Sequence, residues 1–332
     1  MRFIAVLVTY GERGPLVEEA CRRALAEGCV EVVVVSNGGN APDVKNRIMR
    51  LSGADRIRWV HLPENAGSQI GFQTGLELAS GTDLAYDYVL LLDDDNHLEA
   101  GALREASRYL RHPLDSQPAC AVLHRDLSAL HARLAAGELP RDIVPPTSSF
   151  AGFDLARSVK RRLPKIRTVN TVGNELPRLE YSGYGGLLIP APFVQRALEA
   201  ERPDYVLYED DAAMTLALTR SGIDILFLPT ARIHESDGKW TVTEHGNPRH
   251  SLLAHKPAFR SYYQIRNRAH FDLHLRTNNR LRYALNRFLF LSLLHVTARR
   301  NGWIDNYRFI KSAVRDGEKN RLGTSDRFPL PE

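Results

Sequence analysis

The sequence has only three cysteines, Cys21, Cys29 and Cys120, an odd number without paired spacing. That excludes a disulfide framework and a zinc knuckle, and it suits a reducing compartment. Also missing is any uninterrupted apolar run of the roughly 18 residues that a transmembrane helix needs. The nearest stretch, LRYALNRFLFLSLLHVTARR, carries Arg282, Arg287 and His295 and reads as a buried or membrane-surface helix. The opening MRFIAVLVTYGERG has a short apolar run but no small-residue cleavage site, so it reads as a first strand and not a signal peptide. There is no internal repeat, no low-complexity tract, no Walker loop and no dinucleotide fingerprint.

Acids are scarce towards the C-terminal end. Between Arg276 and Arg321 eleven Lys or Arg face three acids, a local balance of +8, so a total of +5 leaves −3 for the rest of the chain. A second run, ARSVKRRLPKIR (Ala156 to Arg167), has six basic residues and no acid. The bland reading of both is a solvated basic face; attraction to anionic lipid or to a diphosphate-bearing acceptor is the functional one. No aromatic-interleaved or recognition-helix pattern accompanies the charge, so no nucleic-acid partner is expected.

What is there is ordinary globular material, 332 residues with 43% hydrophobic and 25% charged, enough for one large domain or a domain with an appendage. Apolar β-branched runs alternate with helical patterns through the first 120 residues. The strands FIAVLVTY, VEVVVVSNGG, IRWVHL and YVLLL are separated by the helices PLVEEACRRALAEG, about Asp43 to Arg50, and SQIGFQTGLELAS. That alternation predicts an α/β fold with a mostly parallel sheet. Prolines 140, 145, 146 and 164 loosen the pattern between Leu127 and Asn174. Order returns at LEYSGYGGLLIPAPFVQRALEA, strand then helix, and at DYVLYEDDAAMTLALTRSGIDILFLPTARIHES, helix then strand. After Lys256 the chain is helical and basic.

Three sets of residues could carry chemistry. Asp93, Asp94 and Asp95 stand at the end of LLL, where like charges raise each other's proton affinity unless a cation or a set of donors satisfies them. Two carboxylates one residue apart can share a hard cation such as Mg2+ or Mn2+, with phosphate oxygens completing the shell. Capping of a helix opened by DDNHLEAGAL is the structural alternative. Glu209, Asp210 and Asp211 open another helix, which favours acids on electrostatic grounds alone. His234 ends a strand; alone it reads as a satisfied surface residue, and beside the acids as a ligand. The turns SNGG and PENAGSQIGFQTG place small residues and a helix N-terminus where a backbone can approach an anion.

In order, VTYGERGPL, VVVVSNGG, LPENAGSQIGFQTGLELA, LLLDDDN, YSGYGGLLI, YEDDAAMTLALTRSG and ARIHES resemble the family-2 glycosyltransferases, inverting enzymes of the GT-A fold. YYQIRNRAHF and FIKSAVRDGEKNRLG look like the YYxxRN and DGxxxxxG elements of the bacterial galactofuranosyl- and rhamnosyltransferase branch. The resemblance implies a Rossmann-like, mostly parallel sheet flanked by helices over residues 1–255, which would bind the nucleotide-sugar and catalyse, and a helical basic C-terminal region over 256–332. Thr9, Tyr10 and Asn37 would hold base and ribose, with Asn65 and Gly67 lining the nucleotide pocket. Asp93 and Asp95 with His234 would fix Mn2+ or Mg2+ on the diphosphate, and Asp94 would lie beside the donor sugar. The GYGG segment with Gly185 would face donor and acceptor, and Arg266 and Arg268 would help the leaving diphosphate. The family places a helix-ending glycine eleven residues after its catalytic base, and Gly222 lies eleven after Asp211, so the resemblance implies Asp211 over Asp210 as the base.

The implied partners are a nucleotide-sugar donor and a glycan or lipid-linked acceptor, met in the cytoplasm with peripheral attachment to the inner face of the membrane. Nothing in the sequence fixes an oligomeric state. Two departures stand out: Ala213 and Ala217 replace the acid and the Arg that commonly follow the base, and Asn37 or Ser36 replaces the usual Asp of the second-strand nucleotide motif. Rival readings are a nucleotidyltransferase on a similar fold and a non-catalytic nucleotide-sugar-binding protein.

Overall fold

The computed structural model describes residues 1–39, 41–111, 118–160, 175–200, 203–237, 252–253 and 258–331. Three parallel strands, β1 (Phe3–Thr9), β2 (Glu31–Asn37) and β3 (Ile57–Leu62), alternate with the helices α1 (Gly14–Ala26), α2 (Ala41–Ile48) and α3 (Gly67–Ser80). Then follow β4 (Tyr88–Asp93), β5 (Asn96–Leu98), α4 (Ala102–Leu110), β6 (Cys120–Arg125) and the short helices α5 (Ala129–Ala135), α6 (Pro140–Ile143) and α7 (Leu155–Lys160). The remaining elements are β7 (Arg178–Leu179), β8 (Leu187–Pro190), α8 (Ala191–Glu199), α9 (Asp210–Arg220), β9 (Ile225–Glu235), and three C-terminal helices, α10 (Phe259–His270), α11 (Arg280–Arg300) and α12 (Ile304–Glu318).

Among the described residues the strands form one mixed sheet in the order β3-β2-β1-β4-β8-β6-β9-β5, with β7 also on β9. The first four strands are parallel; β8 is antiparallel to β4 and β6. Alternate residues of each central strand enter opposite layers, because side chains alternate across a pleated sheet. Ala5, Leu7, Val32 and Val34 meet α1, α2 and α4, while Ile4, Val6, Val33 and Val35 meet α3, α8 and α9. Both faces are covered, which is why these strands are continuous apolar runs instead of alternating ones. This is the α/β fold with a mostly parallel sheet that the sequence predicts.

One local expectation changes. Residues 94–101 do not open a helix: β5 pairs with β9, and α4 starts only at Ala102. Its first amides are capped from across the layer by Glu27, which accepts from Gly101 N (2.6 Å) and Leu103 N (3.0 Å). Capping therefore does not explain the three aspartates. The stretch before α9 is irregular. Val206, Tyr208 and Glu209 have φ of +66°, +65° and +64°, a left-handed conformation that costs a non-glycine residue energy and persists only when its surroundings enforce it.

Helix α10 enforces it. Buried Asn267 donates from Nδ2 to the carbonyls of Tyr205 (2.9 Å), Leu207 (2.6 Å) and Tyr208 (3.1 Å), and Arg266 donates to the Tyr205 carbonyl (3.3 Å) and to that of Gly323 (2.7 Å). The YYxxRN and DGxxxxxG elements meet here: a Cβ on Gly317 would overlap the Arg266 carbonyl oxygen, so only glycine lets α12 come this close to α10. The basic run from Ala156 is described as far as Lys160; its remainder lies outside the described residues. No helix among the described residues is long and apolar enough to cross a membrane.

Asn267→Ala strands the carbonyls that hold residues 205–209, and a loss of about 2–4 kcal/mol is expected, since unmet buried acceptors carry their full desolvation cost. Chemical denaturation measures it; a loss below about 1 kcal/mol would mean that α10 is not what holds the segment.

Candidate active site

The carboxyl ends of β1, β2 and β4 lie together, and a cleft of about 390 Å3 opens beyond them, where ligands enter open α/β sheets. Its walls bring together Tyr10, Asn37, Asn65, Gly67, Asp93, Asp94, Asp95, Asp210 and Asp211. Arg13, Arg125, Tyr184, Tyr208, Glu235, Asp237, Arg260 and Leu330 complete the walls.

The acids are unevenly committed. Asp94 is buried, accepts from Thr9 Oγ1 (2.7 Å) and receives Arg13 Nε on both oxygens (2.9 and 2.8 Å). It therefore ties the ends of β1 and β4 to the loop before α1, and its oxygens are already engaged where the sequence reading put a donor sugar. Thr9 is fully buried behind it and is not among the cleft walls, so the expected contact with base or ribose falls to Tyr10 alone of that pair. Burial works against the Arg13 charge, but Asp94, Asp237 and Asp95 hold that guanidinium firmly protonated.

Asp93 and Asp95 are less satisfied. Burial and the charge of Asp95 push Asp93 up to about 7 despite Arg125; burial and the charge of Asp94 push Asp95 up to about 6 despite Arg13. Asn96 donates to Asp95 (3.0 Å), and a Cβ on Gly185 would strike the Asn96 side chain. Gly185 thus serves the acids by leaving room behind them; Tyr184, packed on Phe72 at 4.2 Å between ring centroids, is the GYGG residue that reaches the cleft.

The His234 expectation is overturned by strand alternation. β9 turns His234 outward, where it is half exposed and paired with Asp126, and turns Glu235 into the cleft, where it is paired with Arg125. One residue of register moves a side chain to the other face of a sheet. Arg266 and Arg268 are also elsewhere. Arg266 is 1% exposed and stacked 4.8 Å from the Tyr263 ring centroid, and Arg268 pairs with Glu209 (3.4 Å) and Asp272 (3.1 Å). Among the described residues the cleft cations are Arg13, Arg125 and Arg260. Arg13 and Arg260 lie 5.8 and 5.6 Å from the Tyr10 ring centroid. Arg13 belongs to VTYGERGPL, but neither composition nor periodicity marks Arg125 or Arg260.

Asn37 braces the cleft wall: its amide donates to Gly67 O (2.8 Å) and accepts from Ala66 N (2.9 Å). Gly67, at φ +84°, packs so closely on Val206 that a Cβ would overlap the Val206 carbonyl. Asn65 accepts from Gly67 N (3.1 Å) and donates to Pro331 O (3.0 Å), so the segment after α12 lies across this wall with Leu330 in the cleft.

Asp210 and Asp211, adjacent on the first turn of α9, part company. Asp210 is buried and accepts from Ser68 Oγ at 3.0 Å, joining α9 to α3. Asp211 accepts the amides of Ala212 (2.7 Å) and Tyr184, and burial followed by the Asp210 charge pushes it up to about 7. A carboxyl near neutrality in a cleft is suited to take a proton.

For a divalent cation the fit is partial and specific. Asp93, Asp95 and Glu235 are hard oxygen donors, yet among the described residues no three His, Cys, Asp or Glu stand at ligand spacing. That suits a cation held by one or two carboxylates and completed by substrate phosphates.

Residues 4–145 match the family model described as glycosyl transferase family 2, a span that runs from β1 to the end of α6 and holds Asp93, Asp95 and Arg125. No curated protein matches the sequence. Solved structures with a similar fold include GalNAc-T7 with UDP, GalNAc and Mn2+ (TM-score 0.48, 13% identity, covering 71% of this chain and 44% of that one). Others are the mannosyltransferase PcManGT of Pyrobaculum calidifontis in complex with GDP-Man and Mn2+ (0.49, 14%, 95% and 86%) and TarS of S. aureus (0.47, 14%, 100% and 57%). The chain therefore spans under half of the first and somewhat over half of the third.

Carboxyls whose pKa folding raises favour the fold while protonated; that contribution is complete below about pH 4 and is lost as pH rises through 6 to 7. Mn2+ with a nucleoside diphosphate should restore it, so the rise in Tm is expected to be larger at about pH 8 than at about pH 5.5. Equal shifts would show that the cation does not sit on these acids. Asp95→Asn should weaken Mn2+ binding about tenfold or more, and His234→Ala by less than about twofold, read by calorimetry. The reverse order would restore His234 as the ligand.

Proposed function

We propose that this chain, whose residues 4–145 form a glycosyltransferase family 2 domain, is a metal-dependent inverting glycosyltransferase. It moves a hexose from a nucleotide diphosphate to a hydroxyl of a glycan or lipid-linked acceptor. The observation that carries the reading is one cleft holding two differently placed sets of carboxyls: Asp93 and Asp95, one residue apart at the end of β4, and Asp211, on the first turn of α9 and held by the backbone amides of Ala212 and Tyr184.

In the proposed reaction Asp211 takes the proton of the acceptor hydroxyl as that oxygen bonds the anomeric carbon, and the sugar's bond to the diphosphate breaks on the opposite side. Asp93 and Asp95 would hold a divalent cation, Mn2+ or Mg2+, which when bound would supply Lewis-acid stabilisation of the leaving diphosphate. Arg260 beside Tyr10 takes the part first assigned to Arg266 and Arg268, meeting the diphosphate with positive charge. Tyr10, Asn65 and Gly67 frame the nucleotide, and Tyr184 and Tyr208 frame the sugar. The likeness of YYQIRNRAHF and FIKSAVRDGEKNRLG to one bacterial branch supports a galactofuranose- or rhamnose-type sugar carried on UDP or dTDP. The proposed setting is the cytoplasm at the inner face of the membrane. A nucleotidyltransferase would need an available cation in the N-terminal loop for a triphosphate, and Arg13 is instead bound to Asp94 and Asp237.

Incubation with a panel of nucleotide-sugars, Mn2+ and candidate acceptors should release nucleoside diphosphate with one donor class. A panel that stabilises the protein without any release would identify a binding protein instead. With the active donor, Asp211→Asn is expected to lower kcat about 10²–10⁴-fold and leave donor affinity within about threefold. Since Asp211 must be deprotonated to act, kcat/KM should fall as pH drops through about 7. Retention of most turnover in Asp211→Asn would move the base elsewhere.

A further inference from the structure

Helix α11 is apolar on two opposite sides. One side, with Tyr283, Leu291, Leu294 and Ala298, is buried against α12 and its neighbours. At about 3.6 residues per turn the other side carries Leu281, Leu285, Phe288, Leu293 and Val296. Their exposures of 85%, 48%, 64%, 44% and 46% make them five of the large apolar residues left in water. Helix α7 extends the same surface. Leu155 N donates to Asn286 of α11 (2.9 Å) and Asp154 pairs with Arg282 (2.9 Å), and Leu155 and Val159 are exposed as well. An exposed apolar strip on the side of a helix away from its own core marks a surface with a second apolar environment to enter.

We propose that the outer side of α11, with Leu155 and Val159 of α7, is a docking surface for an anionic lipid bilayer. The argument is charge complementarity around an apolar strip. Helix α11 contains five Arg and no acid. Arg282 lies on the strip's side at one end and Arg299 and Arg300 at the other, and neither of the latter two pairs with an acid among the described residues. The strip from Leu281 to Val296 is about 22 Å long. That is a helix lying in the interface plane, its apolar side in the acyl boundary and its cations among headgroup phosphates. A second copy of the chain fits less well, because a two-fold contact would set the same Arg rows against each other. The inference deepens the inner-membrane setting proposed above and rests on it for its biological meaning.

The test is flotation of the full-length protein with vesicles of phosphatidylcholine alone or with phosphatidylglycerol, without donor or acceptor, so that its outcome is separate from that of the transferase reading. Anionic vesicles should carry the wild type, and pure phosphatidylcholine much less. The triple variant Leu281→Asp, Phe288→Asp, Val296→Asp and the double variant Arg299→Glu, Arg300→Glu should each lose at least about tenfold in partitioning. Unchanged Tm and nucleoside diphosphate release with a soluble acceptor would show the loss to be local. Undiminished flotation of either variant would overturn the proposal. So would a wild-type dimer in vesicle-free solution that the triple variant converts to monomer.

Discussion

Carboxylates buried together repel one another and lose the solvation that water gave them, and the carboxyl edge of this sheet gathers Asp93, Asp94, Asp95, Glu235, Asp210 and Asp211 around one cleft. Everything nearby answers that constraint. Arg13 reaches from the loop before α1 to Asp94, and Arg125 from the end of β6 to Glu235, while Ser68 and two backbone amides take up Asp210 and Asp211. The compensation is incomplete at Asp93, Asp95 and Asp211, which are left near neutrality. The incompleteness is the useful part, since it gives a cation something to gain and a proton somewhere to go.

The second dependence is mechanical. Asp211 stands where it does because the chain before α9 runs through three left-handed residues, and that path is fixed by Asn267 and Arg266 from α10 and by Gly67 from α3. The C-terminal helices therefore hold up the wall that presents the candidate base, although the strands are all formed earlier in the chain among the described residues. Gly317 transmits the same constraint one helix further, by letting α12 pack against the backbone of α10. Beyond α12 the chain returns to the cleft itself, with Asn65 on Pro331 and Leu330 in the wall, so the appended region shapes more than one wall of the cleft.

Particular residues show how far reading the chain could go. The strands β1 to β4 and the helices between them were legible because their signals are local: apolar runs, Pro15 at a helix start, Gly28 in left-handed conformation at a helix stop. That Asp93, Asp95, Tyr10 and Asn65 share one cleft follows from strand order, because strand ends of a parallel sheet converge on one edge; Asp211 joins them from the first turn of α9. His234 was misread because sequence fixes an alternation, not its phase against a neighbouring strand; pairing with β5 turned Glu235 inward. Arg266 was misread because a conspicuous basic motif gives no sign of whether it meets substrate or backbone carbonyls. Arg125 and Arg260 carried no signal at all, being single cations placed by packing.

By itself, then, the sequence determined the layers of the fold, the edge at which the acids gather and the excess of positive charge late in the chain. These depend on periodicity and composition, which act over a few residues. The tertiary structure alone decided which acids are neutralised and which remain available, which arginines enter the cleft, and which side of α11 is left in water. Those depend on distances and burial between segments up to some 260 residues apart, as in the bond from Asn65 to Pro331, and on the loss of solvation that only a formed cleft imposes.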